Sequence, residues 1–367
     1  MKKVLLITHI EPVIHGQALM AKQLVELSKE WDDIELLTLN TVYADDRGKL
    51  SGFSFGKTKR LFSYMFQARK MVKKQKIDQV LMTPAFFRTP FVKDGIFVLF
   101  LSWFTKAKLT AWVHMDPNRL DYEKRGWFFR KFARKVAGKF DCWVACAPAL
   151  LKLWPKWLSE NHTTASVPNG IPIPKEIPQE GETSTSMKSD SVRVLYLSAM
   201  DEEKGWLETL EVAKQICSEN ENVIFDFYGG AGKQLSDEEI KTVFAELNHE
   251  RIQWHGAVYD APKHAALNAA DIFLFPSHTE QFPISVLEAM AASLPIVATN
   301  VGAVKDALPE EELIAVSDIN ALKKATLQLI QNPEIRRSQG ERNRNKFIEQ
   351  FSDQAFASAW HHQFNKN

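Results

Sequence analysis

The 367-residue sequence predicts an α/β protein made of two domains, each with its own parallel sheet. The chain is longer than one ordinary core, domains running to roughly 100–200 residues. Short apolar runs alternate with helix-length amphipathic segments almost throughout, which is the pattern of βαβ units. That alternation breaks once, over IPIPKEIPQEGETSTSMKSDS (171–191), a stretch rich in Pro, Ser, Thr, Glu and Lys with neither helix nor strand period.

Before the break, strands are expected at KVLLITH (3–9), IELLTLN (34–40), DQVLMT (78–83), KLTAWVH (108–114) and DCWVACA (141–147). After it they are expected at VRVLYLS (192–198), VIFDFYG (223–229), RIQWHG (251–256), DIFLFPS (271–277) and PIVATN (295–300). The expected domains are therefore 1–172 and 192–345, joined by a linker at 173–191, with a helical segment at 346–367 packing back toward the first domain. Ligands of open α/β sheets bind beyond the C-terminal ends of the strands, so the sequence places a site in a cleft between the two domains.

Composition narrows the class. Hydrophobic residues at 45% and charged residues at 25% fit a soluble globular chain. Cys142, Cys146 and Cys217 have no metal-ligand spacing and suggest no disulfide framework, which favours a reducing, cytoplasmic compartment. The longest strongly apolar run, GIFVLFLSWF (95–104), is about half the length of a membrane-spanning helix. The N-terminal MKKVLLITHIEP has too short an apolar stretch, and no small-residue cleavage site, for a signal peptide; it reads as a first buried strand.

A net charge of +1 conceals two opposed halves: residues 1–172 hold 28 Lys plus Arg against 15 Asp plus Glu (+13), leaving 18 against 30 (−12). KTKRLFSYMFQARKMVKKQK (57–76) has eight basic residues and no acid, interleaved with Leu61, Phe62, Tyr64, Met65 and Phe66. RLDYEKRGWFFRKFARKVAGKF (119–140) has eight basic residues and two acids, with Trp127, Phe128, Phe129 and Phe132. Basic helices with aromatic anchors suit an anionic membrane surface, each charge contributing about 1 kcal/mol near the lipid. The alternative is a solvated charged face whose aromatics turn to the core. No nucleic-acid partner is expected.

Within TEQFPISVLEAM (279–290), Pro283 suits the first helical position, where its missing N–H is not needed. Counting on from it, Pro283, Val286, Leu287, Met290, Ala291 and Leu294 share one face that should pack on the second sheet. Glu288 lies beside that stripe, near a helix N-terminus whose N–H groups and dipole favour an anion such as phosphate. There a carboxylate can accept hydrogen bonds from a polyhydroxylated ligand such as ribose, with Glu280 reaching further along the same ligand. By spacing alone, the two also read as a solvated loop residue and an exposed helix residue.

The surrounding run ADIFLFPSHTEQFPISVLEAMAASLPIVATNVG (270–302) resembles the nucleotide-sugar signature of retaining GT-B glycosyltransferases of glycosyltransferase family 4. The resemblance implies two Rossmann-like domains facing each other across a cleft, with a nucleotide diphosphate sugar, a UDP-sugar above all, on the C-terminal domain and the acceptor on the N-terminal one. Glu288 would bind the ribose hydroxyls and Glu280 the donor sugar, with Phe282, Pro283, Ile284 and Ser285 along the sugar and diphosphate. LSAMDEEKG (197–205) resembles the loop whose lysine, here Lys204, neutralises the diphosphate. QWHGAV (253–258) resembles the nucleobase-side strand and loop, with Gly256 and Val258, and VPNGI (167–171) the end of the N-terminal domain. Many members carry an arginine five residues before the lysine, where this chain has Ala199.

On the N-terminal side, HIEPVIHGQALMAKQL (9–24) sets Gly16 at a helix start, the family's glycine facing the donor. His114 ends an expected strand and precedes Asp116; the family often has a histidine there that touches donor sugar or acceptor. The implied catalytic set is Glu280, His114 and Lys204, with His114 and Asp116 on the acceptor side. No Asp-x-Asp motif stands near these landmarks, so neither metal nor cofactor is expected. The expected reaction is a retaining, metal-independent transfer to an acceptor hydroxyl, such as that of a lipid-linked saccharide in polysaccharide or glycolipid assembly. The expected location is cytoplasmic, peripheral on the inner membrane face. Alternatives are a nucleotide-sugar epimerase, a soluble disaccharide synthase, or a non-catalytic glycan-binding subunit, for which Ala199 is the supporting feature.

Overall fold

The computed structural model describes residues 1–10, 16–42, 55–160, 162–174 and 191–366. Most of the expected linker, and residues 11–15 of the loop before Gly16, lie outside the described residues. The chain forms two compact units, Met1–Gly170 with Asp353–Asn367, and Ile171–Ser352.

In the first unit, β1 (Lys2–Thr8), β2 (Ile34–Asn40), β3 (Gln79–Met82), β4 (Lys108–Val113), β5 (Cys142–Ala145) and β6 (Thr164–Ser166) make one sheet in the order β2-β1-β3-β4-β5-β6. All its pairings are parallel. β3 and β5 are buried along their whole length, as strands of a parallel sheet are when helices cover both faces; the polar Gln79 in β3 is accommodated by donating from Nε2 to Thr110 Oγ1 at 2.7 Å. β6, three half-exposed residues at the edge, has no apolar signature to announce it.

The Asp353–Lys366 helix belongs to this unit. Residues 346–350, expected with it, complete the preceding Pro333–Gln350 helix of the second unit. Its anchor is aromatic: Trp360 is fully buried and meets the Trp112 ring edge-on at 4.8 Å, with Phe356 and Phe364 buried on either side. Asp33 accepts from His361 Nε2 at 2.7 Å and from Asn365 Nδ2 at 3.1 Å.

In the second unit, β7 (Val192–Leu197), β8 (Val223–Tyr228), β9 (Ile252–Trp254), β10 (Ile272–Phe275), β11 (Ile296–Thr299) and β12 (Leu313–Ile314) form a parallel sheet ordered β12-β11-β10-β7-β8-β9. Counted from its own first strand this is the Rossmann order, whereas the first sheet has the flavodoxin-like one. The strand order of each sheet reverses once, between β1 and β3 in one and between β7 and β10 in the other, with every strand still parallel. The loops leaving β7 and β10 therefore diverge from one point, where ligands of such sheets bind.

Candidate functional site

The loop after β10, residues 276–283, is fixed on every side. Gly205, at φ +74°, lies so close to Pro276 that a Cβ would come within 2.1 Å of its carbonyl oxygen. The fully buried Ser277 sits with Oγ 3.1 Å from both the Glu203 carbonyl and Glu280 Oε1, and Thr299 Oγ1 donates to its carbonyl. His278 donates its N–H to the Glu203 carbonyl at 2.8 Å, while its Nε2 meets Glu208 Oε1 at 2.6 Å. On the far side, Ala303 N–H donates to the Gln281 carbonyl at 2.8 Å, and Gly302, at φ +53°, closes against Glu280 backbone. Such restraint holds a side chain within the tolerance that ligand recognition needs.

Out of that loop Glu280 projects, its side chain 14% exposed, and Lys204 Nζ donates to its Oε1 at 2.5 Å. The lysine comes from the loop after β7, so the ion pair stands at the topological switch point. The Tyr196 hydroxyl lies beneath that loop, 3.1 Å from the Ala199 carbonyl and 3.3 Å from that of Lys204. Burial, reinforced by the charges of Glu280, Glu208 and Asp201, pushes its pKa well above the ordinary value, so it stays a neutral donor. The backbone carbonyl of Ala199, which any residue at that position would supply, thus helps to organise the lysine loop.

The following helix is Ile284–Ala291, and Pro283 stands one position earlier than its sequence suggested, as the cap residue: its ψ of 126° is extended, not helical. Pro283 offers no side-chain cap, so the first-turn N–H groups have no acceptor from the helix or its cap residue. The expected stripe is buried, with Val286, Leu287, Met290 and Ala291 at 0% and Leu294 at 4% exposure. Beside it, Glu288 keeps 15% side-chain exposure and accepts from Lys263 Nζ at 2.5 Å. Lys263 lies on the Asp260–Ala269 helix, which follows the loop holding Gly256 and Val258. Sequence reasoning missed it, since one lysine on an amphipathic helix carries no signal until the fold sets it against a carboxylate.

Gly256 takes a left-handed φ of +76° with open space where a Cβ would be, and its carbonyl accepts from Gly229 N–H at 2.9 Å. Val258 is half-buried. Asp226 on β8, 9% exposed, accepts from Arg193 and from His255 Nε2, both at 2.7 Å. Burial alone would raise its pKa; the His255 hydrogen bond and the Arg193 charge outweigh burial and bring it below the ordinary carboxylate value.

Gly16, His114 and Asp116 belong to the first unit. Gly16 opens the Gly16–Leu27 helix. Next to it Gln17 Nε2 donates to Thr8 Oγ1 at 3.2 Å and Thr83 Oγ1 at 2.7 Å, and the two hydroxyls lie 2.6 Å apart, tying the helix start to the ends of β1 and β3. His114 follows β4 and lies against the Trp112 ring at 4.3 Å. Asp116 caps the Pro117–Leu120 turn, taking the Asn118 N–H at 2.9 Å. Among the described residues, no group of three or more His, Cys, Asp and Glu is placed to hold a metal ion.

Two six-stranded parallel sheets in separate units define the fold class of the GT-B glycosyltransferases. Residues 181–346 match the family described as glycosyl transferases group 1. Relatives include 2-deoxystreptamine N-acetyl-D-glucosaminyltransferase of Niallia circulans, 28% identical over 43% of this chain and 41% of that protein. Another is the phosphatidylinositol N-acetylglucosaminyltransferase GPI3 subunit of Saccharomyces cerevisiae, 25% identical over 45% of this chain and 38% of its own. The chain thus spans less than half the length of these relatives. Among solved structures, sucrose-phosphate synthase from Thermosynechococcus elongatus superposes with a TM-score of 0.75 at 20% identity, covering 100% of this chain and 99% of that one. Anabaena HepE in complex with UDP-glucose does so with a TM-score of 0.71 at 15% identity, covering 99% and 100%.

Proposed function

We propose that the protein is a retaining glycosyltransferase that moves a sugar from a nucleotide diphosphate sugar, a UDP-sugar first, to an acceptor hydroxyl. The observation that carries this reading is the Lys204–Glu280 pair beside the uncapped start of the Ile284–Ala291 helix. An ammonium and a set of oriented N–H groups suit a leaving diphosphate, while carboxylates suit sugar and ribose hydroxyls. Glu280 holds the donor sugar, Glu288 the ribose, and Phe282, Pro283, Ile284 and Ser285 line the diphosphate, with Gly256 and Val258 on the base. Lys204 offsets the charge that builds on the departing diphosphate, so the reaction runs without a metal. From the first unit, Gly16 serves the donor and His114 and Asp116 the acceptor. The test is calorimetry of nucleotide-sugar binding by the wild type and Glu288→Ala: affinity lost with the fold retained is expected, and unchanged affinity would refute the assignment.

A lipid-linked saccharide is the proposed acceptor, with the protein peripheral on the inner membrane face. A specific observation favours it. In the Phe55–Gln75 helix, Leu61 and Met65 turn inward but Phe62 and Phe66 are 50% and 56% exposed. In the Trp127–Ala137 helix, Phe129 and Phe132 are half-buried against Phe91, whereas Trp127 and Phe128 are 59% and 82% exposed, with Lys131 over the Trp127 ring. The Arg88–Phe104 helix, which the basic segments did not include, adds Trp103 at 69%. Exposed rings set among cations suit an anionic lipid surface. No helix among the described residues is long and apolar enough to cross a membrane.

A further inference from the structure

We infer that Lys263 is a positioning residue for nucleotide recognition, acting through Glu288; this rests on the reading of Glu288 as the ribose ligand. Both carboxylates of the site are half-buried, and each is met by one lysine at 2.5 Å, Glu280 by Lys204 and Glu288 by Lys263. A carboxylate with 15% exposure has lost most of its water and is costly without a counter-charge. Lys263, itself 25% exposed, supplies that charge from a different helix.

The ammonium engages Oε1. Among the described residues no other partner takes this side chain, which leaves Oε2 to accept from a ribose hydroxyl. The pair also ties the Asp260–Ala269 helix, which leaves the loop of Gly256 and Val258, to the Ile284–Ala291 helix. Lys263 thereby couples the base side of the ligand to its ribose side: it sets the carboxylate's rotamer, without itself touching the nucleotide. A tie between helices alone would predict effects on stability only.

Binding of UDP and of 2′-deoxy-UDP, measured by calorimetry, separates these cases. Lys263→Met and Glu288→Gln are each expected to weaken UDP about tenfold and to abolish the preference for the ribonucleotide, a buried charged hydrogen bond being worth on the order of that factor. The double variant should bind no more weakly than Glu288→Gln alone, and Lys263→Arg should restore most of the affinity. Should Lys263→Met not fold, Lys263→Gln, which keeps a donor without the charge, takes its place. If Glu288→Gln weakens UDP but the Lys263 variant only lowers the melting temperature, the inference falls and the site stands. If the wild type does not bind UDP, or Glu288→Gln leaves binding unchanged, the donor reading falls and takes the inference with it.

Discussion

At the scale of single residues, the site depends on atoms that are not there. Gly205 lacks the Cβ that would lie 2.1 Å from the Pro276 carbonyl oxygen, and its φ of +74° is one that other residues adopt at a cost. Gly205→Ala is therefore expected to destabilise the protein by about 3 kcal/mol and to weaken donor binding through displacement of Lys204, which thermal melts and donor calorimetry would show. Surface alanine substitutions on the Trp206–Glu219 helix, which follows Gly205, should do neither. Glu280, Glu288 and Lys204 stood out in the sequence as candidates because their neighbours form a dense local pattern. Lys263 was not, because its significance depends on a partner 25 residues away. Pro283 was legible as a helix start, though its extended ψ puts it just outside the helix.

At the scale of elements, the two loops at the switch point are held by their supports more than by their own sequence. Buried central strands such as β5 and β10 were legible as unbroken apolar runs. β6 and β12, short edge strands with half-exposed residues, were not. Strand order was also hidden, since alternation of strand and helix is the same in both doubly wound orders. One prediction belongs here. Asp226 joins β8 to Arg193 at the start of β7 and to His255 after β9. Its pKa is depressed in the folded state, so its contribution is complete above the unfolded carboxylate value and is lost as pH falls through the folded one. Asp226→Asn should cost about 2 kcal/mol at neutral pH and flatten the acid limb of a stability-against-pH curve. An unchanged limb would show that the cluster contributes nothing to acid stability.

For the molecule as a whole, charge is divided as the chain is, +13 in residues 1–172 and −12 beyond. Such a division was plain from composition, but which aromatics face outward was not, because Phe62 and Met65 are equally apolar in sequence. Trp127→Ser combined with Phe128→Ser should reduce flotation with phosphatidylglycerol vesicles about tenfold or more, while raised salt should weaken binding of the wild type. Flotation indifferent to both changes would remove the membrane from the proposal. Trp360→Ala should cost about 4 kcal/mol, read by denaturant titration, since it empties a fully buried position against Trp112.

The helix that carries Trp360 also fixes an order of events. Residues 353–366 are synthesised only after the whole of the second unit, yet they complete the core of the first. Domains made first usually fold first; here Trp112 has no cover from this helix until the second unit has been translated.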